Sequence, residues 1–283
     1  MAMINTQLAK KMMVAMAVFG LVSCGQVNDE STSSNSSTSL SAEPIQSSAD
    51  KFSKFKAYTQ TFDEKLLMTK PHATGHVGKY FFTHWKDGGA ASLDLSPDGT
   101  FHITWEGGEY NYVGGPGWHS GDKNREIGYR LEKDSGASYV ALYGWGYDKT
   151  MDPKDPAHLV EYYVIQRTTR DPSKYGLYGT TFVSNGVEYS TYRTLREEKP
   201  SINNTATFYQ YWSKPTQDLP LGEDHKISFA DHVKAWEESG WVIPNMDNTD
   251  ASDDPTYQVL AVEVFFPPAD GTASGRMWDA AAK

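Results

Sequence analysis

Two glutamates, Glu161 and Glu263, stand in the middle of runs whose other residues are built to be buried. In LVEYYVIQ (159–166), strand alternation puts Glu161, Tyr163 and Ile165 on one face. In YQVLAVEVFF (257–266), it groups Tyr257, Val259, Ala261, Glu263 and Phe265. Burying a lone carboxylate is costly, and glutamate is rarely buried without a partner. Either these faces line a cleft, or each glutamate has a cation or phenol that satisfies it. Two further runs can floor such a cleft: one carries Tyr143 and Trp145 on a face, the other Phe208, Gln210 and Trp212. Paired carboxylates on neighbouring strands beneath an aromatic floor are what cleavage of a glycosidic bond requires. One stays ionised to attack, or to stabilise an oxocarbenium-like transition state. The other keeps its proton near neutral pH and gives it to the leaving oxygen, a division that burial and the neighbour's charge can impose. The residues alone leave the alternative open, a pair of strand glutamates each satisfied by Arg or Tyr.

The elements that must hold these residues are strands. About ten short aromatic and β-branched runs follow one another, broken by Gly, Pro, Asn or Asp; KYFFTHW (79–85), TFHITW (100–105), EIGYRLE (126–132) and ATFYQYWS (206–213) are examples. This predicts a β-sandwich or barrel, and the lack of internal repeats argues against a propeller. One helix interrupts the strands. Ser228 is placed to cap it, Asp231 completes a capping-box pattern, Phe229, Val233 and Trp236 share a face, and Gly240 stops it. It should pack on the outside of a sheet as a structural element.

Composition narrows the partners. At 283 residues the chain fits one large domain or two small ones. Hydrophobic content of 39% and a mean hydropathy of −0.58 exclude a multi-span membrane protein. Aromatics at 13%, including 17 Tyr and 8 Trp, require that most of the chain folds. A net charge of −10 argues against nucleic acid as a partner and suits an uncharged, many-hydroxyl ligand. A single cysteine excludes a disulfide framework and a Cys-based zinc site. The eight histidines form no HExxH or close pair, so neither a metal nor a cofactor is expected. Gly-x-Ser-x-Gly is missing, which removes the serine-hydrolase elbow. The Gly-rich turn expected at 114–117 opens no helix and so makes no phosphate cradle. Asn203-Asn204-Thr205 fits the glycosylation pattern by spelling only.

Residues 1–24 read as an export signal: Lys10 and Lys11 precede the apolar run Met12 to Val22, which is short of the roughly 20 residues a spanning helix needs. Leu21-Val22-Ser23-Cys24-Gly25 resembles the bacterial lipoprotein cleavage box, which implies a diacylglyceryl group on Cys24 and a membrane anchor through it. Gly25 after the cysteine, rather than Asp, implies sorting to the outer membrane or cell surface. Residues 25–77 divide into a polar, Ser/Thr-rich linker to about residue 50 and a lead-in of unassigned structure; residues 78–283 form the catalytic β-domain.

Six stretches, in order over roughly residues 78–270, resemble the glycoside hydrolase family 11 endo-1,4-β-xylanases. They are HWKDGG (84–89), NYVGGPGW (111–118), YVALYGW (139–145), LVEYYVI (159–165), KPSINNTATFYQYWS (199–213) and YQVLAVE (257–263). The resemblance implies Glu161 as nucleophile and Glu263 as general acid/base of a retaining double displacement. It implies Tyr143 and Tyr163 around the reacting sugar, Gln210 beside the nucleophile and Arg196 as the cleft arginine. Trp85 would stack on a xylose, and Pro200, Ser201 and Ile202 would form a thumb over the cleft. Asn111 stands where the family has Asn or Asp beside the acid/base, and Asn implies an optimum that is not strongly acidic. Trp145, Trp212 and Tyr257 join the substrate-binding set through the strand faces described above. The sequence departs from the pattern at Val264-Phe265-Phe266-Pro267-Pro268, at Gln166 where an acid is usual, at His158, and in a longer loop, 147–157.

The expectation is therefore an all-β jelly roll of two curved, mostly antiparallel sheets with one external helix and a cleft on the concave face. It would be a monomer that cleaves internal β-1,4 bonds of xylan with retention. The alternatives are a retaining hydrolase of another β-glycan, or a surface xylan-binding lipoprotein without turnover.

Overall fold

The computed structural model describes residues 61–62, 65–247 and 256–282; the export signal, Cys24 and the polar linker lie outside them. The alternating runs form strands, numbered in chain order. Ten make one sheet in the order β1 (Thr61–Phe62), β3 (His72–Val77), β4 (Tyr80–Lys86), β7 (Asn111–Trp118), β15 (Gln258–Phe265), β9 (Tyr139–Tyr147), β10 (Leu159–Thr168), β13 (Asn204–Pro215), β12 (Val187–Ser201), β11 (Leu177–Ser184). Six make the second sheet, in the order β14 (Asp224–Ser228), β8 (Glu126–Asp134), β16 (Gly271–Asp279), β6 (Thr100–Trp105), β5 (Ala91–Leu95), β2 (Leu66–Met68). Neighbours are antiparallel except β1 with β3 and β10 with β13. This is an all-β jelly-roll sandwich. Residues 61–77, left unassigned from the sequence, supply edge strands to both sheets.

Period-two alternation sorts the side chains of the large sheet into two clusters. Tyr112, Leu142, Tyr162, Val164 and Leu260 face the small sheet and meet Ile103, Ile127, Tyr129 and Met277 in the main core. The opposite face carries a second cluster that includes Phe81, Tyr143, Trp145, Tyr163, Phe208 and Tyr257. The helix α1 (Phe229–Glu238) packs on the first of these faces: Trp236 is fully buried against Tyr162 and Tyr211.

Three expectations need correction. The segment 114–117 is not a turn but lies inside β7, between β4 and β15. Its glycines allow close backbone approach: a Cβ on Gly115 would collide with the carbonyl of Leu260, and one on Gly117 with that of Gln258. The capping box of α1 does not form, because Ser228 donates to Glu126 (2.8 Å) and Asp231 accepts from Ser184 (2.7 Å) instead. The two glutamate strands are not neighbours; β9 runs between β15 and β10.

Gln166 has a structural reason to differ from an acid. The register of β10 shifts there, and the side chain turns into the core between the sheets. Its Oε1 accepts from the Tyr129 hydroxyl (2.7 Å), and its Nε2 lies 3.0 Å from the Ile165 carbonyl and 3.3 Å from the Tyr189 hydroxyl. A carboxylate could accept from the tyrosines but could not donate to the carbonyl. Replacing Gln166 with Leu should therefore cost about 1–3 kcal/mol of stability, from buried hydroxyls left unpartnered. Urea unfolding checks the loss, and kcat should be unchanged at a temperature where the variant is folded.

Candidate active site

The second aromatic cluster floors a cavity of about 450 Å³. Strand registry brings the two glutamates to it: Glu161 lies opposite Trp145 of β9 and Gln210 of β13, while Glu263 lies opposite Tyr139 of β9 and Val113 of β7. Both carboxyls are buried, at 7% and 8% exposure.

Glu161 is held by donors on both oxygens. Its Oε1 accepts from the hydroxyls of Tyr143 (2.7 Å) and Tyr163 (3.1 Å), and its Oε2 from Nε2 of Gln210 (2.5 Å). A relay orients that amide. Trp212 Nε1 donates to Thr194 Oγ1 (3.1 Å), and the Thr194 hydroxyl donates to Gln210 Oε1 (3.0 Å), leaving the amide nitrogen to face Glu161. Burial raises the Glu161 pKa above the ordinary carboxylate value, while Gln210, Tyr143, the Arg196 charge and Tyr163 pull it back. Burial and the charge of Glu161 keep the hydroxyls of Tyr143 and Tyr163 protonated, so both remain donors.

Glu263 is placed differently. Burial first, and the charge of Glu161 second, push its pKa up to about 7. Tyr163, Asn111 and Arg196 favour its charged form, yet its Oε2 has no hydrogen bond of its own. Two like groups are thus made unequal, and the proton resides on Glu263.

All the expected site residues but one line this cavity: Glu161, Glu263, Trp85, Asn111, Tyr143, Trp145, Tyr163, Arg196, Pro200, Ser201, Ile202, Gln210 and Tyr257. The exception is Trp212, buried and stacked on Tyr163 (4.1 Å between centroids), where it starts the relay to Gln210. Phe208 and Phe265, which alternation had already put on the faces of Gln210 and Glu263, line the cavity as well, and so do Thr74, Thr83, Asp87 and Lys199, which had no sequence-based assignment to the site. Alternation could have given Thr83, two residues from Trp85 on β4. Asp87 lies just past the end of β4, and its carboxylate accepts from the Asn111 backbone N–H (2.6 Å).

The roof is the hairpin between β12 and β13. Ser201 pairs with Asn204, and the turn is closed by Ser201 Oγ donating to the Asn204 carbonyl (2.7 Å). Asn204 takes a left-handed conformation (φ +55°) that asparagine tolerates well. Asn203 Nδ2 donates to the Tyr147 hydroxyl (3.1 Å), which ties the tip to the end of β9. A larger, open depression of about 940 Å³ lies on the far face of the small sheet. Its charged side chains are ion-paired, Lys65 with Asp94, Arg130 with Glu132 and Asp224, and Arg276 with Asp98 beyond its rim, and it offers no buried carboxylate pair.

The sequence profile of glycosyl hydrolases family 11 matches residues 77–275. The chain belongs to this family. It is 34% identical over 205 residues to endo-1,4-beta-xylanase 11A of Botryotinia fuckeliana, covering 71% of this chain and 80% of the relative. It is 34% identical over 208 residues to endo-1,4-beta-xylanase 3 of Pyricularia grisea, covering 72% and 78%. The bifunctional xylanase/xylan deacetylase of Cellvibrio japonicus is 36% identical over 206 residues, which is 68% of this chain and 27% of that protein.

The raised Glu263 pKa has a consequence for stability. Between 4.5 and about 7 the folded state of this family 11 protein binds a proton on Glu263 that the unfolded chain has released. Stability is therefore whole below that window and falls as pH rises through it. Glu263→Gln removes the buried charge, so the variant should be more stable than wild type by about 3 kcal/mol at pH 8 and nearly equal to it at pH 4. Urea unfolding at the two pH values checks this; a variant no more stable than wild type at pH 8 overturns it.

Proposed function

We propose that this family 11 protein is an endo-1,4-β-xylanase acting with retention, with Glu161 as nucleophile and Glu263 as general acid/base. The observation that carries the reading is the inequality of the two buried carboxyls, one gripped by three donors and one kept protonated. Its membership of the family and the xylanase names of its relatives supply the substrate.

A xylan chain enters under the hairpin, with the Trp85 indole against a pyranose face and Pro200, Ser201 and Ile202 above. Glu161 attacks the anomeric carbon while Glu263 gives its proton to the glycosidic oxygen, and the leaving chain departs as an alcohol. Esterified, Glu161 is neutral, so the charge that raised the Glu263 pKa is gone and Glu263 rests as a carboxylate. It then takes a proton from the water that attacks the ester, and free Glu161 and protonated Glu263 are restored. Two inversions at one carbon give net retention. The Arg196 charge and the Tyr143, Tyr163 and Gln210 donors favour Glu161 as an anion, which is also the leaving group of the second step. Asn111 adds no second carboxylate beside Glu263, in keeping with an optimum that is not strongly acidic.

On glucuronoxylan, wild type should release short xylo-oligosaccharides, with little action on cellulose or mixed-linkage glucan. Glu161→Ala should abolish release, and Glu263→Gln should lower kcat/KM by about 10²–10⁴-fold. The alkaline limb of the wild-type kcat/KM profile should fall near pH 7, where free Glu263 loses its proton. Activity that survives both substitutions overturns the assignment, and retention on xylan without hydrolysis by wild type would make the protein a binder.

The proposal extends to location. Supported by the sequence of residues 1–25, we read the protein as exported, anchored by lipid on Cys24 to the outer membrane or cell surface, and acting as a monomer at the end of its polar linker. Cys24→Ser should move the protein from the membrane fraction to the soluble fraction and abolish incorporation of labelled fatty acid. Unchanged partitioning would overturn the anchor.

A further inference from the structure

The hairpin that roofs the cavity brings into it a charge that the double displacement does not use. Among the described residues, five charged side chains line the cavity: Glu161, Glu263, Asp87, Arg196 and Lys199. The charge of Arg196 acts on both glutamates, and the Asp87 carboxylate accepts from the Asn111 N–H. The ammonium of Lys199 makes neither an ion pair nor a hydrogen bond with any described residue.

A backbone irregularity puts it there. Along β12, alternation sends Thr194 and Arg196 to the cleft face, opposite Gln210 and Phe208, and regular pairing would send Glu198 after them. The register shifts first. Lys199, three residues past Arg196, pairs with Ala206, two residues before Phe208. One extra residue in β12 thus reverses its alternation, and a base faces the cavity in place of an acid. Lys199 is half-buried, whereas Glu197 and Glu198 are exposed. Glu198 itself holds the bulge. It takes a left-handed conformation (φ +50°) that is uncommon for glutamate. Its N–H donates to the Thr207 hydroxyl (3.2 Å), and that hydroxyl donates to its carboxylate (3.3 Å). Ala206 and Phe208, on either side of Thr207, belong to the cleft-side cluster, so Thr207 ties Glu198 to the opposite face. A neutral sugar gives an ammonium no charge to pair with, whereas a carboxylate on a side branch does. At a net charge of −10 the protein repels an acidic polymer at long range, so a cation inside the cleft is what can favour one.

We propose that Lys199 receives the carboxylate of a uronic acid branch on the bound chain, and that it is a specificity-determining residue for acidic xylans. The proposal rests on the xylanase reading. The test compares glucuronoxylan with the same polymer after its uronic acids have been reduced to neutral sugars, both at low salt. Lys199→Met keeps the length of the side chain and removes its charge. It should lower kcat/KM on glucuronoxylan by about fivefold, and on the reduced polymer by less than about twofold. Lys199→Arg should keep the wild-type ratio between the two polymers, and Lys199→Glu should lower that ratio below the value for Lys199→Met. Salt at about 0.5 M should shrink the difference between wild type and Lys199→Met on glucuronoxylan. A Lys199→Met variant that loses nothing, or loses equally on both polymers, overturns the proposal and leaves the xylanase reading intact. A wild type that hydrolyses neither polymer overturns the xylanase reading and this proposal with it.

Discussion

Two carboxyl groups are buried on one face of the ten-stranded sheet, each close enough to feel the other's charge. Burial would neutralise both, and repulsion would forbid both charges at once. The site resolves this by giving its donors unequally. Three go to Glu161, one of them aimed by the line from Trp212 through Thr194 to Gln210, whereas an oxygen of Glu263 is left free. The chemistry then needs no further group to decide which carboxyl attacks and which donates.

That distribution of donors is a product of strand order. Glu161 takes its amide from β13, which runs parallel to β10, and a phenol from β9 on the other side. Glu263 sits one strand beyond, beside the glycine-rich β7. The glycines matter because β7 must approach β15 where side chains would collide with its backbone. Alternation does the rest: β10, β9 and β15, which put Glu161, Tyr143 and Glu263 into the cleft, put Tyr162, Leu142 and Leu260 into the core on their other face. A register slip of one residue would exchange the two faces, so the main core and the site specify each other.

Much of this was legible in the sequence by itself. Alternation grouped Glu161 with Tyr163 and Glu263 with Tyr257, because a half-buried strand shows its period directly in the chain. The turn residues marked a succession of short strands, about ten by the sequence against sixteen in the described residues, and the six motifs pointed to the family. Tertiary structure alone decided the rest. That β9 separates the two glutamate strands is a pairing choice between distant segments, which no local pattern encodes. Ser228 and Asp231 have the spelling of a cap, but Glu126 and Ser184, distant in sequence, compete for them and win. Gln166 looked like a departure at the cleft and is a core residue, because a register shift turns it inward. Local periodicity fixes which residues share a face; only the packing of distant strands fixes which faces meet.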